Sequence, residues 1–270
     1  MLLTTLGDLL LDVVVRLERP LVRGDDVVAE IATAPGGQAA NVAAWAAALG
    51  ADARFVGCRG EDEAGNVVTV ALASYGVELR GPVVGKNGVV VSMVEPDGLR
   101  SMASDRGVAP SLAPDDLDAA WFACDWLHVA GYSLVREPIA VASLTAVAHA
   151  REAGARVSVD LSAATVVAAY GADRFRALLE RIEPDVVFGT EVELAALEGP
   201  VPANEWVLKR GADGIVVGTN GARREFPALP GDVVDSTGAG DALAAGYLVG
   251  GADLALHAAA RCVAQVGAMP

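Results

Sequence analysis

A glycine-rich segment that ends in an aspartate carries the strongest chemical signal in the sequence. It reads Asp-Ser-Thr-Gly-Ala-Gly-Asp over positions 235–241 and continues into an apolar run with helical spacing at 242–247. Glycines at a helix start let the backbone approach a ligand, and the first-turn amides favour an anion there. The pattern predicts an anion pocket at 238–240, in which Asp241 could take a proton from a hydroxyl while the amides stabilise a phosphoryl group. An ordinary glycine-rich helix start, capped by acidic residues, is the alternative.

Two other phosphate-binding motifs do not fit these residues. A Rossmann glycine pattern would need Gly or Ala where Leu243 stands, and it should open a βαβ unit, whereas only a helical tail follows. A P-loop needs Gly-Lys followed by Ser or Thr, and the Gly85-Lys86 pair is followed by Asn87. The segment at 235–241 therefore belongs to neither of these two motifs.

A second signal lies early in the chain, where Gly36 and Gly37 precede a predicted helix. Paired glycines permit close backbone approach, and Asn41 in the first turn offers a donor and an acceptor to sugar-like hydroxyls. Taken without the later segment, the same residues also fit a simple turn before a helix.

The surrounding pattern predicts an α/β fold with a mostly parallel sheet. Apolar runs predict buried strands at 2–6, 54–56, 126–130, 156–160, 186–188, 206–208 and 215–218. Helical runs at 38–49, 61–75 and 137–153 alternate with them, and each ends at a glycine that suits a helix C-cap. Segments 9–34 and 83–104 break the alternation and predict a small antiparallel sheet within a single domain.

In combination, these motifs resemble the ribokinase-like (PfkB) carbohydrate kinase family. The resemblance rests on Gly-Gly-x-x-x-Asn at 36–41, Val-Gly-x-x-Gly-x-Asp-x-x-Gly at 56–65 and the segment at 235–241, in the family's order over nearly the whole chain. It implies a three-layer αβα ribokinase-like fold with a small β lid formed by 9–34 and 83–104. It also implies ATP and Mg²⁺, allows a monovalent cation such as K⁺, and allows a homodimer formed through the lid.

The resemblance also implies roles for individual residues. Asp241 matches the catalytic base, and the anion hole matches Gly238, Ala239 and Gly240. The family's acceptor contacts match Asp12, Gly36, Gly37 and Asn41. Its nucleotide contacts match Glu193, Lys209, Gly211 and Gly214.

Some of these matches leave alternatives open. Thr190 stands where the family has asparagine. Glu193, three residues later, matches a glutamate that would help to position magnesium and phosphate through water. Lys209 could reach an ATP phosphate, or it could lie in an exposed basic turn. Arg106 could reach a substrate carboxylate or phosphate, although a solvated loop arginine is the simpler interpretation. Asp12 could equally be a polar residue in a strand.

Composition narrows the function further. A formal charge of −15 argues against a nucleic-acid binder, because that affinity comes from clustered Lys and Arg. Three scattered cysteines and three isolated histidines suggest neither disulfides nor a metal site. No signal peptide or membrane span is expected, so a cytoplasmic protein with a small-molecule substrate is predicted.

The predicted reaction is ATP-dependent phosphorylation of a sugar or sugar acid. Lys209 and Arg106 favour a sugar acid such as 2-keto-3-deoxygluconate. A nucleoside kinase of the same fold is the nearest alternative, although few aromatic residues stand near the lid to hold a nucleobase. A non-catalytic sugar or nucleotide sensor is the alternative from another class.

Overall fold

A computed structural model describes residues 1–97, 99–219 and 221–270, with thirteen strands and seven α-helices in this part of the chain. The strands are β1 (Leu2–Leu6), β2 (Leu10–Leu17), β3 (Ala29–Gly36), β4 (Asp52–Val56), β5 (Glu78–Arg80), β6 (Asn87–Val94), β7 (Arg100–Gly107), β8 (Trp126–Ala130), β9 (Arg156–Asp160), β10 (Val186–Thr190), β11 (Glu205–Lys209), β12 (Ile215–Thr219) and β13 (Ala222–Phe226). The helices are α1 (Gln38–Ala48), α2 (Glu63–Ser74), α3 (Ile139–Glu152), α4 (Ala164–Tyr170), α5 (Ala172–Ile182), α6 (Glu191–Ala195) and α7 (Ala239–Val263).

Nine strands form the larger sheet, in the order β13-β12-β11-β10-β9-β8-β1-β4-β5. The seven strands from β11 to β5 run parallel, and β12 and β13 are antiparallel additions at one edge. All seven strands predicted from apolar runs are present, and the predicted α/β fold with a mostly parallel sheet is confirmed.

Side chains on successive strand positions enter two separate cores, because neighbouring residues of a strand point to opposite faces. In β10, Val186 and Phe188 belong to one core and Val187 to the other. The first core includes buried residues of α1, α2 and α7, and the second includes those of α3, α4 and α5. This arrangement confirms the three-layer αβα architecture.

The predicted helix ends are also present. Gly50, Gly76 and Gly154 have φ angles of 90°, 84° and 82°, in the left-handed region where glycine ends a helix with least strain.

Helix α7 is long and apolar enough to cross a membrane by length and composition alone. However, half of the qualifying window is buried inside the protein, and Gly250 and Gly251 interrupt the helical backbone. Helix α7 therefore packs as a core helix against the large sheet and α1.

The segments that break the alternation form a second, four-stranded sheet in the order β3-β2-β6-β7. It is mixed, and the prediction of an antiparallel sheet is wrong for its central pair. Strands β2 and β6 run parallel, with Leu10 opposite Gly88, because the chain passes through β3, β4 and β5 between them and does not join them by a hairpin. The outer pairs, β2 with β3 and β6 with β7, are antiparallel as predicted.

The early motif at 56–65 joins the small sheet to the large one. Asp62 caps α2 by accepting from Gly65 N at 2.9 Å, and its Oδ1 also accepts from Asn87 N at 3.2 Å. Asn87 Oδ1 in turn accepts from Gly60 N at 2.9 Å. A Cβ at Gly60 would lie 2.3 Å from Asn87 N, which explains the glycine there. These bonds fix the first residue of β6 beside the start of α2.

Candidate active site

Polar side chains from distant parts of the chain meet at the carboxyl edge of the large sheet. Strands β9, β10 and β11 end there in Asp160, Thr190 and Lys209, and helix α1 begins close by. The first turn of α7 arrives at the same edge, since Asp241 contacts Asn41 of α1. In open α/β sheets, ligands bind outside the carboxyl ends of the strands, so this edge is the candidate site.

The start of α7 has the backbone that the glycine-rich segment predicts. Gly238 is left-handed, with φ 77°, and a Cβ there would lie 2.6 Å from Ala268 Cα. Asp235 Oδ1 accepts from both Thr237 N and Thr237 Oγ1, and its Oδ2 accepts from Gly267 N at 3.1 Å. The loop before the helix is thereby fixed. Ala239 N donates to Ser236 O at 3.3 Å and Asp241 N donates to Gly238 O at 3.0 Å, while the positive end of the helix dipole favours an anion beside this turn.

Asp241 lies in the first turn of α7, where Asn41 Nδ2 donates to its Oδ2 at 2.7 Å. Burial raises the pKa of Asp241 to about 7, and the nearby charge of Asp160 adds to this effect. Hydrogen bonds from Asn41 and Gln38 and the charge of Lys209 act in the opposite direction. A carboxyl with a pKa near neutrality can both accept and release a proton at physiological pH.

Lys209 occupies the middle of a charged cluster. Its Nζ donates to Asp160 Oδ2 at 2.7 Å and lies 4.0 Å from Glu193 Oε2. Burial lowers the pKa of Lys209, but the charges of Asp160 and Glu193 outweigh it and leave that pKa raised. The alternative of an exposed basic turn is wrong, because Lys209 is the last residue of β11 and its side chain is only 12% exposed.

Lys209 also lies beside the glycine-rich turn at 238–240. A Cβ built on Gly240 would be 3.4 Å from Lys209 Nζ, so the ammonium group is adjacent to the start of α7. A cation and a helix N-terminus therefore face the same small volume, and that combination suits a phosphate.

Thr190 and Glu193 form a capping box at the start of α6. Thr190 N donates to Glu193 Oε2 at 2.8 Å, while Thr190 Oγ1 accepts from Glu193 N at 3.4 Å. Threonine is a common N-cap residue, so its presence in place of asparagine is compatible with the local fold. Glu193 is buried and its carboxylate is turned toward Lys209.

The predicted acceptor residues lie where the small sheet meets α1. Asp12 is in β2, and a Cβ on Gly36 would lie 2.1 Å from Asp12 Oδ2. Gly37 has φ 100°, and a Cβ there would lie 2.3 Å from Asp8 O. Gly37 is therefore required by its backbone, whereas Gly36 leaves the space that the Asp12 carboxylate occupies, and Asn41 follows them one turn into α1.

The interpretation of Arg106 as a solvated loop residue is wrong. Arg106 lies in β7 and forms a two-pronged ion pair with Asp8, with Nε to Oδ2 and Nη2 to Oδ1 both at 2.7 Å. The side chains are 18% and 9% exposed, respectively. The pair joins the small sheet to the end of β1. Tyr132 lies beside it, with its ring centre 5.8 Å from Arg106 Cζ.

Gly211 and Gly214 form the turn between β11 and β12. Arg210 N donates to Gly214 O at 2.9 Å, and both glycines have positive φ, 58° and 83°. A Cβ on Gly214 would lie 2.1 Å from Phe226 O in the adjoining strand β13. The geometry of this hairpin therefore accounts for both glycines, while Lys209 at its base reaches the charged cluster.

Sequence reasoning missed five residues of this site: Asp8, Gln38, Tyr132, Asp160 and Ser162. Asp160 ends a predicted strand and Tyr132 closely follows another, so their place at the carboxyl edge could have been inferred. Gln38 stands within the glycine-rich helix start at 36–41. Ser162, two residues after Asp160, has a left-handed backbone with φ 69°, and nothing in the residue types indicates it.

Comparison with known proteins gives the identity of the family. Residues 2–269 match the pfkB family of carbohydrate kinases. The chain belongs to this family. The predicted resemblance is confirmed, and the kinase is a phosphotransferase that acts on a hydroxyl group. The alternative of a non-catalytic sensor loses its support.

Individual relatives of this pfkB kinase act on different acceptors. It is 31% identical over 250 residues to the ATP-dependent ribose-1-phosphate kinase of Halopiger xanaduensis, covering 88% of this chain and 80% of that protein. It is 31% identical over 245 residues to a fructokinase of Klebsiella pneumoniae, covering 83% and 78%. The structure of adenosine kinase from Sinorhizobium meliloti superposes with a TM-score of 0.89 at 25% identity, covering 99% and 95%.

The position of Asp241 in this kinase predicts a pH-dependent stability effect. Its pKa is about 7 in the folded protein, against an ordinary value of 3.8 for an aspartate in water, so the free energy of unfolding falls as the pH rises from about 4 to about 7, and the full cost is present above about pH 7. Asp241→Asn removes that cost. The variant should therefore have a higher Tm than the native protein at pH 8, and the difference should shrink as the pH falls toward 4.

Calorimetric melts across this pH range check the prediction. Asp253→Asn is the matched control, because Asp253 lies on the same helix but is exposed. Its Tm should follow that of the native protein at every pH. A Tm difference for Asp241→Asn that does not vary with pH would contradict the raised pKa.

Proposed function

We propose that this kinase transfers the γ-phosphoryl group of ATP to a hydroxyl of a sugar or sugar-containing small molecule, with Asp241 as the general base. The hydrogen bond from Asn41 to the partly buried Asp241 at the start of α7 is the observation that carries the proposal. This bond joins α1, which is proposed to contact the acceptor, to α7, whose N-terminus suits a phosphate.

On the acceptor side, Asp12, Gly36, Gly37 and Asn41 are proposed to hold the sugar. Asn41 Nδ2 is used by Asp241, and its buried Oδ1 has no hydrogen-bond partner among the described residues. A substrate hydroxyl would satisfy that oxygen. Asp241 would then take the proton from the hydroxyl that attacks phosphorus.

On the donor side, the amides of Gly238, Ala239 and Gly240 are proposed to stabilise the transferring phosphoryl group. Lys209 supports this role, since its ammonium group lies beside Gly240 and adds a positive charge. The turn at Gly211 and Gly214 is proposed to border the nucleotide. Backbone amides placed in advance need little reorganisation as charge develops on the phosphoryl oxygens.

The donor set fits Mg²⁺ that is carried by the nucleotide. Within the described ranges, no group of three or more His, Cys, Asp or Glu side chains could hold an ion alone. Mg²⁺ is commonly bound through one or two carboxylates together with substrate phosphates, and Glu193 and Asp160 lie at the phosphate side. When bound, Mg²⁺ would neutralise charge on the phosphates.

The acceptor is proposed to be a sugar, and the preference for a sugar acid loses its basis. Both cations that favoured an acid are already paired, Arg106 with Asp8 and Lys209 with Asp160. A nucleoside is the second candidate, and Tyr132 favours it. This tyrosine is 37% exposed and provides an aromatic face beside the Asp8–Arg106 pair. Measuring ADP release with pentoses, hexoses, sugar acids, sugar phosphates and nucleosides separates these candidates.

The small sheet is proposed to act as a lid over the acceptor. It carries Asp12, Gly36 and Arg106, and it contacts the large sheet through the Asp8–Arg106 pair. Closure would exclude water from the reacting groups. Amide hydrogen exchange in 9–34 and 83–104 should slow when the accepted sugar and a nucleotide analogue are both saturating. Unchanged exchange in both segments would argue that the sheet is a fixed wall.

Asp241→Asn tests the proposed base. Asparagine keeps the size of the side chain but cannot accept the hydroxyl proton, so kcat should fall by about 10²–10⁴-fold while KM changes little. Steady-state kinetics with the accepted substrate gives both values, and calorimetric ATP binding checks the donor site. Asp253→Asn should retain native kcat. Native turnover in Asp241→Asn would reduce the turn at 238–241 to a phosphate-binding element.

A further inference from the structure

The ammonium group of Lys209 has hydrogen-bond donors that the protein does not use. Lys209 ends β11, its side chain is largely buried, and its Nζ donates to Asp160 Oδ2 at 2.7 Å. Glu193 Oε2 lies 4.0 Å from Nζ, which is beyond hydrogen-bond distance. A protonated lysine has three N–H donors, and among the described residues Asp160 is the one hydrogen-bond partner of Nζ. Two donors of this cation are therefore left for an anion.

Asp160 is held by contacts at both of its carboxylate oxygens. Its side chain is 1% exposed at the end of β9. Oδ2 accepts from Lys209, while Oδ1 accepts from Ser162 N at 2.9 Å. A carboxylate this deeply buried needs a cation, so the ion pair restricts the position of both groups. Asp160 thus determines where the Lys209 ammonium group lies.

The Lys209 side chain runs alongside the start of α7. The three atoms nearest to a Cβ built on Gly240 all belong to Lys209, with Nζ at 3.4 Å, Cδ at 3.6 Å and Cε at 3.9 Å. Gly240 is the second residue of the helix and directly precedes Asp241. The ammonium group and the proposed base therefore border the same space at the carboxyl edge of the large sheet.

We propose that Lys209 is a further catalytic residue, whose ammonium group binds the γ-phosphoryl group during transfer, and that Asp160 is the positioning residue that holds this ammonium group in place. The inference rests on the proposed function, in which the γ-phosphoryl group passes from ATP to a hydroxyl beside Asp241. It assigns Asp160 a role that is exerted through Lys209, without contact between its own carboxylate and the substrate.

In the transfer step, the acceptor oxygen forms a bond to the γ-phosphorus while the bond from that phosphorus to the oxygen of the β-phosphate breaks. The electron pair of the broken bond remains on ADP, and the hydroxyl proton goes to Asp241. Lys209 forms no covalent bond and keeps its proton: burial lowers its pKa, but the charges of Asp160 and Glu193 outweigh that effect. Its two free N–H groups can therefore bind the phosphoryl oxygens as their charge changes.

Steady-state kinetics of Lys209→Met tests the catalytic role. Methionine is similar to lysine in shape but has neither the charge nor the donors, so kcat should fall by about 10²–10³-fold while KM for the acceptor changes little. The comparison is made on the plateau above the pKa of Asp241, because Lys209 also acts on that pKa. Lys86→Met is the matched control, since Lys86 is the other lysine of the chain and is exposed. Its kcat should equal that of the native protein.

Asp160→Asn tests the positioning role. Asparagine keeps the shape and an oxygen acceptor but not the charge, so the ammonium group is held less firmly and kcat should fall by about tenfold. If Asp160 merely opposed the phosphate by its charge, the same change would raise kcat or lower KM for ATP, and that result would overturn the proposal. In the double variant, kcat should be no lower than in Lys209→Met, because Asp160 acts through the lysine.

Thermal melts establish that each variant is folded. If Lys209→Met does not fold, because it leaves the buried Asp160 without its cation, the double variant retains the test, since it removes both charges. Its kcat should also be about 10²–10³-fold below the native value. Native turnover in the double variant or in folded Lys209→Met would overturn the proposal.

Nitrogen-15 NMR of protein labelled at its two lysines gives a second measurement that does not depend on turnover. A non-hydrolysable ATP analogue should shift the Nζ resonance of Lys209, which the spectrum of Lys86→Met assigns. ADP should shift it less, because ADP lacks the γ-phosphate. No shift with the analogue, or equal shifts with both nucleotides, would overturn the assignment of Lys209 to the γ-phosphoryl group.

The kinetics of Asp241→Asn separate this proposal from the proposed function. If kcat falls in Asp241→Asn but not in Lys209→Met, Asp241 is the base and the role of Lys209 is wrong. If kcat falls in Lys209→Met but not in Asp241→Asn, Lys209 binds the phosphoryl group and the assignment of the base is wrong.

Discussion

The hydrogen bond between Asn41 and Asp241 is the contact on which the site depends. It joins the first turns of α1 and α7, which lie 200 residues apart in sequence. The two helices pack in one core on the same face of the large sheet. Their starts must meet at its carboxyl edge for Asn41 to reach Asp241 at the glycine-rich turn. The nine-stranded sheet and the order of its strands provide that meeting point.

The charged side chains at the carboxyl edge of the large sheet form ion pairs with one another. Asp160, Glu193 and Asp241 lie within range of one lysine, and Asp8 is bound by Arg106. Lys209 offsets the repulsion among these carboxylates, yet the pKa of Asp241 remains raised because desolvation is the largest effect on it. Such a carboxyl is costly to stability and suited to proton transfer, as the proposed role of general base requires. The neutral amides of Asn41 and Gln38 stabilise its ionised form without adding charge.

Much of the fold could be predicted from the sequence, because local patterns decided it. Apolar runs identified the strands of the parallel sheet, and glycines such as Gly50 marked helix ends through their left-handed backbone. The turn at 235–241 could also be predicted, because its glycines stand directly before a helical run. The ion-pair partners of Arg106 and Lys209 could not be predicted. The carboxylates that bind them follow or end other strands, and only the strand order brings these groups together. The parallel pairing of β2 with β6 and the backbone of Ser162 likewise depend on tertiary packing.

Carbon-13 NMR of protein labelled at the aspartate carboxyls measures the ionisation of Asp241 directly, without a known acceptor. One resonance should titrate near pH 7, as burial of Asp241 requires, and it should be absent from the spectrum of Asp241→Asn. The remaining aspartates should keep their positions in that variant. If every aspartate in the native protein instead titrated below about pH 5, as unperturbed carboxyls do, Asp241 would not be a base poised near neutrality.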